Sequence, residues 1–188
     1  MKRLIFVLLA ALILAGCAAE EEKAVNEKVV ETEGDKVEKE FTVKLPFKTF
    51  PEKYTCNGED VSPPIAIEGV SKEAKSIAII MDDPDAPLGT FTHWVIWNIP
   101  ANITSIPESI PPEPVVKEPI SAVQGKNDFG RIGYGGPCPP SGVHNYKIKV
   151  YILDTFLNLD PGATKEELEN AMKGHILQYA VVTASYGR

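Results

Sequence analysis

From Phe41 onward, apolar and polar residues alternate with a period of two or the chain runs apolar in short unbroken stretches, the marks of half-buried and fully buried strands. The pattern predicts strands at Phe41–Leu45, Pro64–Glu68, Lys75–Met81, His93–Ile99, Asn145–Leu153 and Tyr179–Ser185. Helical periodicity occurs once. Pro161-Gly162-Ala163 reads as a turn, Thr164 as an N-cap and Lys165-Glu166-Glu167 as an acidic first turn, opening a short helix that stops near Gly174. Glu167 stands three residues after Thr164, the spacing of a capping box. The fold class is therefore mainly β, with one short helix near the C-terminus.

The connections are rich in proline, notably Pro107–Pro119 and Pro137–Pro140. Proline fixes φ and lacks an amide donor, so these are stiff, non-helical stretches. Between Ala101 and Gly136 there is little regular pattern, and a loop of that length inside a compact domain is usually functional or floppy. Its second half, Gln124-Gly125-Lys126-Asn127-Asp128-Phe129-Gly130, has the polar groups and glycines of a structured loop near a site.

The N-terminus changes the picture. Lys2 and Arg3 precede a charge-free apolar run, Leu4–Ala15, too short to span a bilayer comfortably. This is the layout of a secretory signal peptide, with an ordinary signal peptide in which Cys17 has no role as the alternative. Leu14-Ala15-Gly16-Cys17 resembles the lipobox of prokaryotic lipoproteins, which implies cleavage after residue 16 and lipid on Cys17. Residues 17–40 then carry nine acidic against four basic side chains, a solvated tether, with an amphipathic helix over Val25–Val37 as the other reading. The chain is thus divided into a signal segment 1–16, a tether 17–40 and a domain 41–188, lipid-anchored to the cell membrane outside the cytoplasm. Of the net charge of −7, the signal segment contributes +2 and the tether −5, leaving −4 for the domain. That balance argues against nucleic acid as a partner. Outside the cytoplasm, Cys56 and Cys138 are free to form a disulfide, and two separate buried thiols are the alternative.

Two clusters carry candidate chemistry. Asp82-Asp83-Pro84-Asp85-Ala86-Pro87 leaves an apolar strand, and its prolines fix a turn that aims at least one carboxylate. His93 opens the next strand, beside Trp94, where an aspartate would fix its tautomer. Further on, Gly135-Gly136-Pro137-Cys138 leads into His144 and Tyr146, which are two apart and share a strand face. Two imidazoles, a tyrosine hydroxyl and glycine amides suit a phosphate or carboxylate group. A solvated Asp turn, structural histidines and a core tyrosine are the plainer readings. His175 follows Gly174 and suits a helix C-terminus, outside the site.

Asp83-Pro84-Asp85-Ala86-Pro87, His93-Trp94 and Gly136-Pro137 with His144 and Tyr146, in this order, resemble the signature regions of the phosphatidylethanolamine-binding protein (PEBP) family. Tyr54-Thr55-Cys56-Asn57-Gly58, Ser62-Pro63-Pro64, Asn127-Asp128-Phe129-Gly130 and Gly136-Pro137-Cys138-Pro139-Pro140 resemble its bacterial and archaeal Raf-kinase-inhibitor-like branch. The resemblance implies a large central antiparallel sheet, a smaller sheet and a short helix, with one small pocket for phosphate, acetate or phospholipid head groups. It places Asp83, His93, Gly136, Pro137, His144 and Tyr146 in that pocket, with Asp85, Pro87 and Trp94 as supporting wall. Where relatives often have arginine between the histidine and tyrosine, this chain has Asn145.

The function expected is a binding module in which His93 and His144 donate hydrogen bonds to an anionic head group and Asp83 orients an imidazole, with no cofactor. The alternative is inhibition of a serine hydrolase or another partner protein, for which Pro107–Pro119 would be the docking loop. Third is a hydrolase or metal-dependent enzyme, since two histidines and a carboxylate can hold a metal. Against it, Ser141 lacks the Gly-x-Ser-x-Gly elbow of a nucleophile.

Overall fold

The computed structural model describes residues 40–187. The signal segment, Cys17 and the tether with its alternative helix lie outside the described residues. Among the described residues nine strands form two antiparallel sheets. The smaller has the order β1 (Thr42–Lys44), β2 (Ile65–Glu68), β5 (Ser105–Ile106). The larger runs β6 (Val115–Val116), β7 (Ala122–Gln124), β4 (Phe91–Pro100), β3 (Ser76–Asp83), β8 (Val143–Leu153), β9 (Ile176–Gly187).

β3 is buried along its whole length because it lies between β4 and β8 and both faces of the sheet are covered. Ile77, Ile79 and Met81 point to one face, where they meet Ile96, Ile148 and Val150 and the small sheet's Ile65, Ile67 and Ile106. Ala78 and Ile80 point to the other, against Val95, Trp97, Leu168 and Met172. The last two come from helix α1 (Lys165–Ala171) and its C-terminal end. Thr164 caps α1, accepting from the Glu167 amide while Glu167 accepts from the Thr164 amide, so the capping box is present.

The predicted strands all exist, each of them with bounds a residue or more from those expected. The segment Ala101–Gly136 is where sequence pattern misled. It contains β5, β6 and β7, two or three residues each, and Ile110, Val116 and Ile120 anchor it in the core. Pro107–Pro119 is likewise tied down, with Glu108 bonded to Lys53 (2.9 Å) and to the Tyr54 hydroxyl (2.6 Å). Among the described residues no helix is long and apolar enough to cross a membrane.

Candidate functional site

The site grows out of the last turn of alternation on β3. Met81 faces the small-sheet side of the large sheet, so Asp82 faces the helix side and Asp83 returns to the first. Asp82 is accordingly structural. Its carboxylate accepts from Lys149 (2.6 Å) and Lys165 (2.7 Å), pinning the start of α1 to the sheet. Asp83 is 3% exposed and takes the hydrogen of His144 Nδ1 at 2.7 Å on Oδ2, while its Oδ1 accepts the Asp85 amide at 2.9 Å.

His93 reaches the same side through a register slip. Met81 pairs with Trp94 but Asp82 pairs with Thr92, which leaves His93 as the extra residue of a bulge. Its ring meets Phe91, Phe129 and Tyr146 edge-on, at centroid distances of 5.2, 5.3 and 5.1 Å. His93 Nδ1 bonds the Gly135 carbonyl at 2.7 Å, and the Gly135 amide donates back to the His93 carbonyl at 2.9 Å. Burial pushes the His93 imidazole below its ordinary value, opposed by that carbonyl and by the charge of Asp83.

β8 supplies the rest. His144, Tyr146 and Ile148 are buried while Val143, Asn145 and Lys147 between them are exposed. The His144 and Tyr146 rings are near parallel, 6.4 Å apart. The Tyr146 hydroxyl is buried and has no hydrogen-bond partner of good geometry. Burial, and then the nearby Asp83 carboxylate, push that phenol far above its ordinary value. Asp83, His93, His144 and Tyr146 thus form one buried polar cluster.

The remaining predicted residues play other parts. Asp85 is exposed and accepts from the Asn145 amide (2.8 Å) and side chain (3.1 Å), tying the turn to β8 and lowering its own carboxyl. Asn145 therefore has a structural task where relatives often have arginine. Pro87 lies on the exposed part of the turn, beside a fully exposed Leu88. Trp94, proposed as pocket wall, is a core residue, its indole donating to Gln124 (2.8 Å) and its ring edge-on to Tyr134. The amide of Gly136 is not free for a ligand, because it donates to Asp60 at 2.6 Å. Glycine is needed there for another reason: a Cβ would lie 2.8 Å from both Asp60 Oδ1 and the Thr55 Cα. Pro137 accepts from the Cys56 amide through its carbonyl (3.2 Å). The sulfurs of Cys56 and Cys138 lie in bonding contact, their Cα atoms 5.4 Å apart. His175 is exposed, donates its amide to Met172 at the helix end, and bonds Asp154.

Asp60 and Phe129 went unassigned in the sequence. Asp60 holds both Gly136 and Arg131 (3.2 Å), and Arg131 in turn lies over the Phe129 ring. Only the polar, glycine-containing character of Gln124–Gly130 hinted that this loop borders a site. A cavity of about 540 Å³ lies close by, lined by Asp60, Ser62, Ile110, Pro112, Arg131 and Tyr134 among others, but none of the cluster residues lines it. Among the described residues no three His, Cys, Asp or Glu side chains converge as a metal site.

The fold and this cluster define a PEBP-type protein, and residues 41–187 match the phosphatidylethanolamine-binding protein family. The chain belongs to that family. Residues 1–18 match the prokaryotic membrane lipoprotein lipid attachment site. The chain is 63% identical to a UPF0098 protein of Pyrococcus abyssi over 73% of its length and 78% of the relative's. It is 52% identical to one of Pyrococcus horikoshii over 100% of this chain and 91% of the other. Crystal structures similar to the chain include two described as PEBP-type proteins. YbcL of E. coli, described as a member of the mammalian PEBP family, is 32% identical with a TM-score of 0.72, over 80% of this chain and 99% of that one. A PEBP homologue of Chlamydia trachomatis is 38% identical with a TM-score of 0.68, over 75% and 90%.

Proposed function

We propose that this chain is an extracytoplasmic binding protein, held to the membrane by lipid on Cys17 with residues 17–40 as its tether. The domain takes a small anion, free phosphate or the phosphate of a head group, at Asp83, His93, His144 and Tyr146. The observation that carries the reading is the Tyr146 hydroxyl, a buried polar atom that makes no hydrogen bond of good geometry and lies beside two buried imidazoles. Buried polar groups are nearly always hydrogen-bonded, and a ligand oxygen would satisfy this one. Lipid on Cys17 would keep the domain at a surface rich in phosphate head groups, in line with the match at residues 1–18.

Calorimetric titration of the full chain in detergent with phosphate and with phosphoethanolamine tests this, alongside His144→Ala. Saturable binding in the wild type that is lost in the variant supports the reading. No binding by the wild type, or binding untouched by the substitution, overturns it.

A further inference from the structure

The two edges of the large sheet are built in opposite ways. At one edge β6 is two residues long and sits between Pro114 and Lys117-Glu118-Pro119, short, charged and flanked by proline, as edges that must not pair are. At the other edge β9 runs for twelve residues, Ile176–Gly187, without one charged residue or proline. Its side chains alternate. Val182 and Ala184 pack into the core between the sheets, beside Ile148 and Tyr146, and Gln178 bonds the Ser71 amide and the Gly69 carbonyl. Tyr179 and Val181, beside Tyr151 and Lys149 of β8, face the helix side and stay 50% and 42% exposed, in line with exposed Leu177. The outer backbone of β9 is covered at one point, where the Ser185 amide donates to the Lys48 carbonyl and the Ser185 carbonyl accepts from the Phe50 amide. On an antiparallel strand these directions alternate, so Thr183, Val181 and Tyr179 also point their amides and carbonyls away from β8. Among the described residues no strand pairs with them there.

We propose that β9 pairs with β9 of a second copy of this chain, antiparallel about a two-fold axis at Ala180, so that one sheet runs through a dimer. The open stretch Leu177–Thr183 is centred on Ala180, and in this register the ladder stops short of Ser185, whose outer bonds are already taken. Tyr179 then lies opposite Val181 of the second copy, an aromatic ring against a β-branched side chain on the exposed face. A strand without charge meets its own copy without repulsion, which a lysine-bearing edge would not. A two-fold contact uses the same edge of both copies, and the blunted β6 edge offers no further pairing, so the assembly closes at two. The ladder is shorter than the roughly 20–30 residues a side of a standard interface, which places the dimer in the micromolar range.

The test uses the full chain in detergent with Cys17→Ser, so that neither lipid nor an N-terminal thiol brings copies together. Sedimentation equilibrium from about 1 to 100 µM is expected to show monomer and dimer in exchange. Val181→Lys alters an exposed side chain in the middle of the ladder and acts twice in the dimer, so association is expected to weaken at least about tenfold. Its circular dichroism should match that of the parent, which separates a lost contact from a lost fold. Two cysteine variants fix the register. Ala180→Cys meets its own copy across the axis at the ~4.5 Å Cα spacing of a non-hydrogen-bonded pair, and is expected to give a covalent dimer on oxidation. Thr183→Cys lies about 20 Å along the strand from its own copy and is expected to stay uncrosslinked. A chain that remains monomeric over the whole range overturns the proposal and leaves the edge to an extended segment of another protein. Association unmoved by Val181→Lys, or equal crosslinking of the two cysteines, overturns it as well.

Discussion

Three aspartates within four positions end up with three unrelated tasks, and only the period of two separates the first pair. Asp82 and Asp83 are neighbours on a strand and so lie on opposite faces of the sheet, one with lysines and one with His144. Asp85 sits past the strand end and clasps Asn145. For Asp83 this gives a test that distinguishes an acceptor from a mere filler. Asp83→Ala leaves the buried Nδ1–H of His144 and the Asp85 amide without an acceptor, which costs about 1–3 kcal/mol of stability. Asp83→Asn keeps a carbonyl oxygen of the same reach and is expected to recover most of that loss. Urea unfolding midpoints of the three proteins decide it; two equally destabilised variants would show that the charge, rather than the acceptor, is what the site needs.

At the scale of elements, the helix side of the large sheet is held by apolar contacts of Leu168 and Met172 and by one polar clasp, Asp82 with Lys149 and Lys165. Asp82 is 1% exposed on its side chain whereas the lysines keep 22% and 23%, so removal of the aspartate strands two charges that water still partly reaches. Asp82→Ala is expected to cost about 2–3 kcal/mol, somewhat below the loss of one partner from a fully buried pair, measured by thermal or urea unfolding. The strands and the helix were legible because each repeats a pattern long enough to count: β3 as an unbroken apolar run, α1 through Thr164 and Glu167. β5, β6 and β7 were not, since two or three residues set no period. The cluster residues Asp83, His93, His144 and Tyr146 could be named from the sequence, but the bulge that turns His93 toward Tyr146 depends on a pairing slip between β3 and β4. Trp94 itself keeps the regular alternation with Ile96 and pairs with Met81, which is what puts it in the core. Asp60 was invisible for a related reason, as its partner Gly136 is 76 residues away and meets it only once the chain has folded.

On the whole molecule, a buried neutral histidine leaves a signature in the dependence of stability on pH. In the unfolded chain His93 titrates near 6.5. In the fold its value is lower, chiefly because of burial. Between those two values the unfolded chain binds a hydrogen ion that the folded one does not, so acid favours unfolding. The contribution is complete above about pH 6.5 and is lost as the pH falls toward the folded value, with a slope of at most about 1.4 kcal/mol per pH unit. The lowered carboxylates Asp85, Glu108 and Glu167 act in the same direction but in a separate window, below about pH 4.5, and solvent screens them because they are exposed. Urea midpoints from pH 7.5 to 5, compared between the wild type and His93→Gln, therefore separate His93 from the chain's other two histidines. The wild type is expected to lose stability across it, and His93→Gln to show a flatter profile from a lower starting value. Equal slopes in the wild type and His93→Gln would mean that His93 takes up a hydrogen ion in the folded protein as readily as in the unfolded chain. In that case it would be able to donate from Nε2 as well as from Nδ1, as a histidine carrying both hydrogens does.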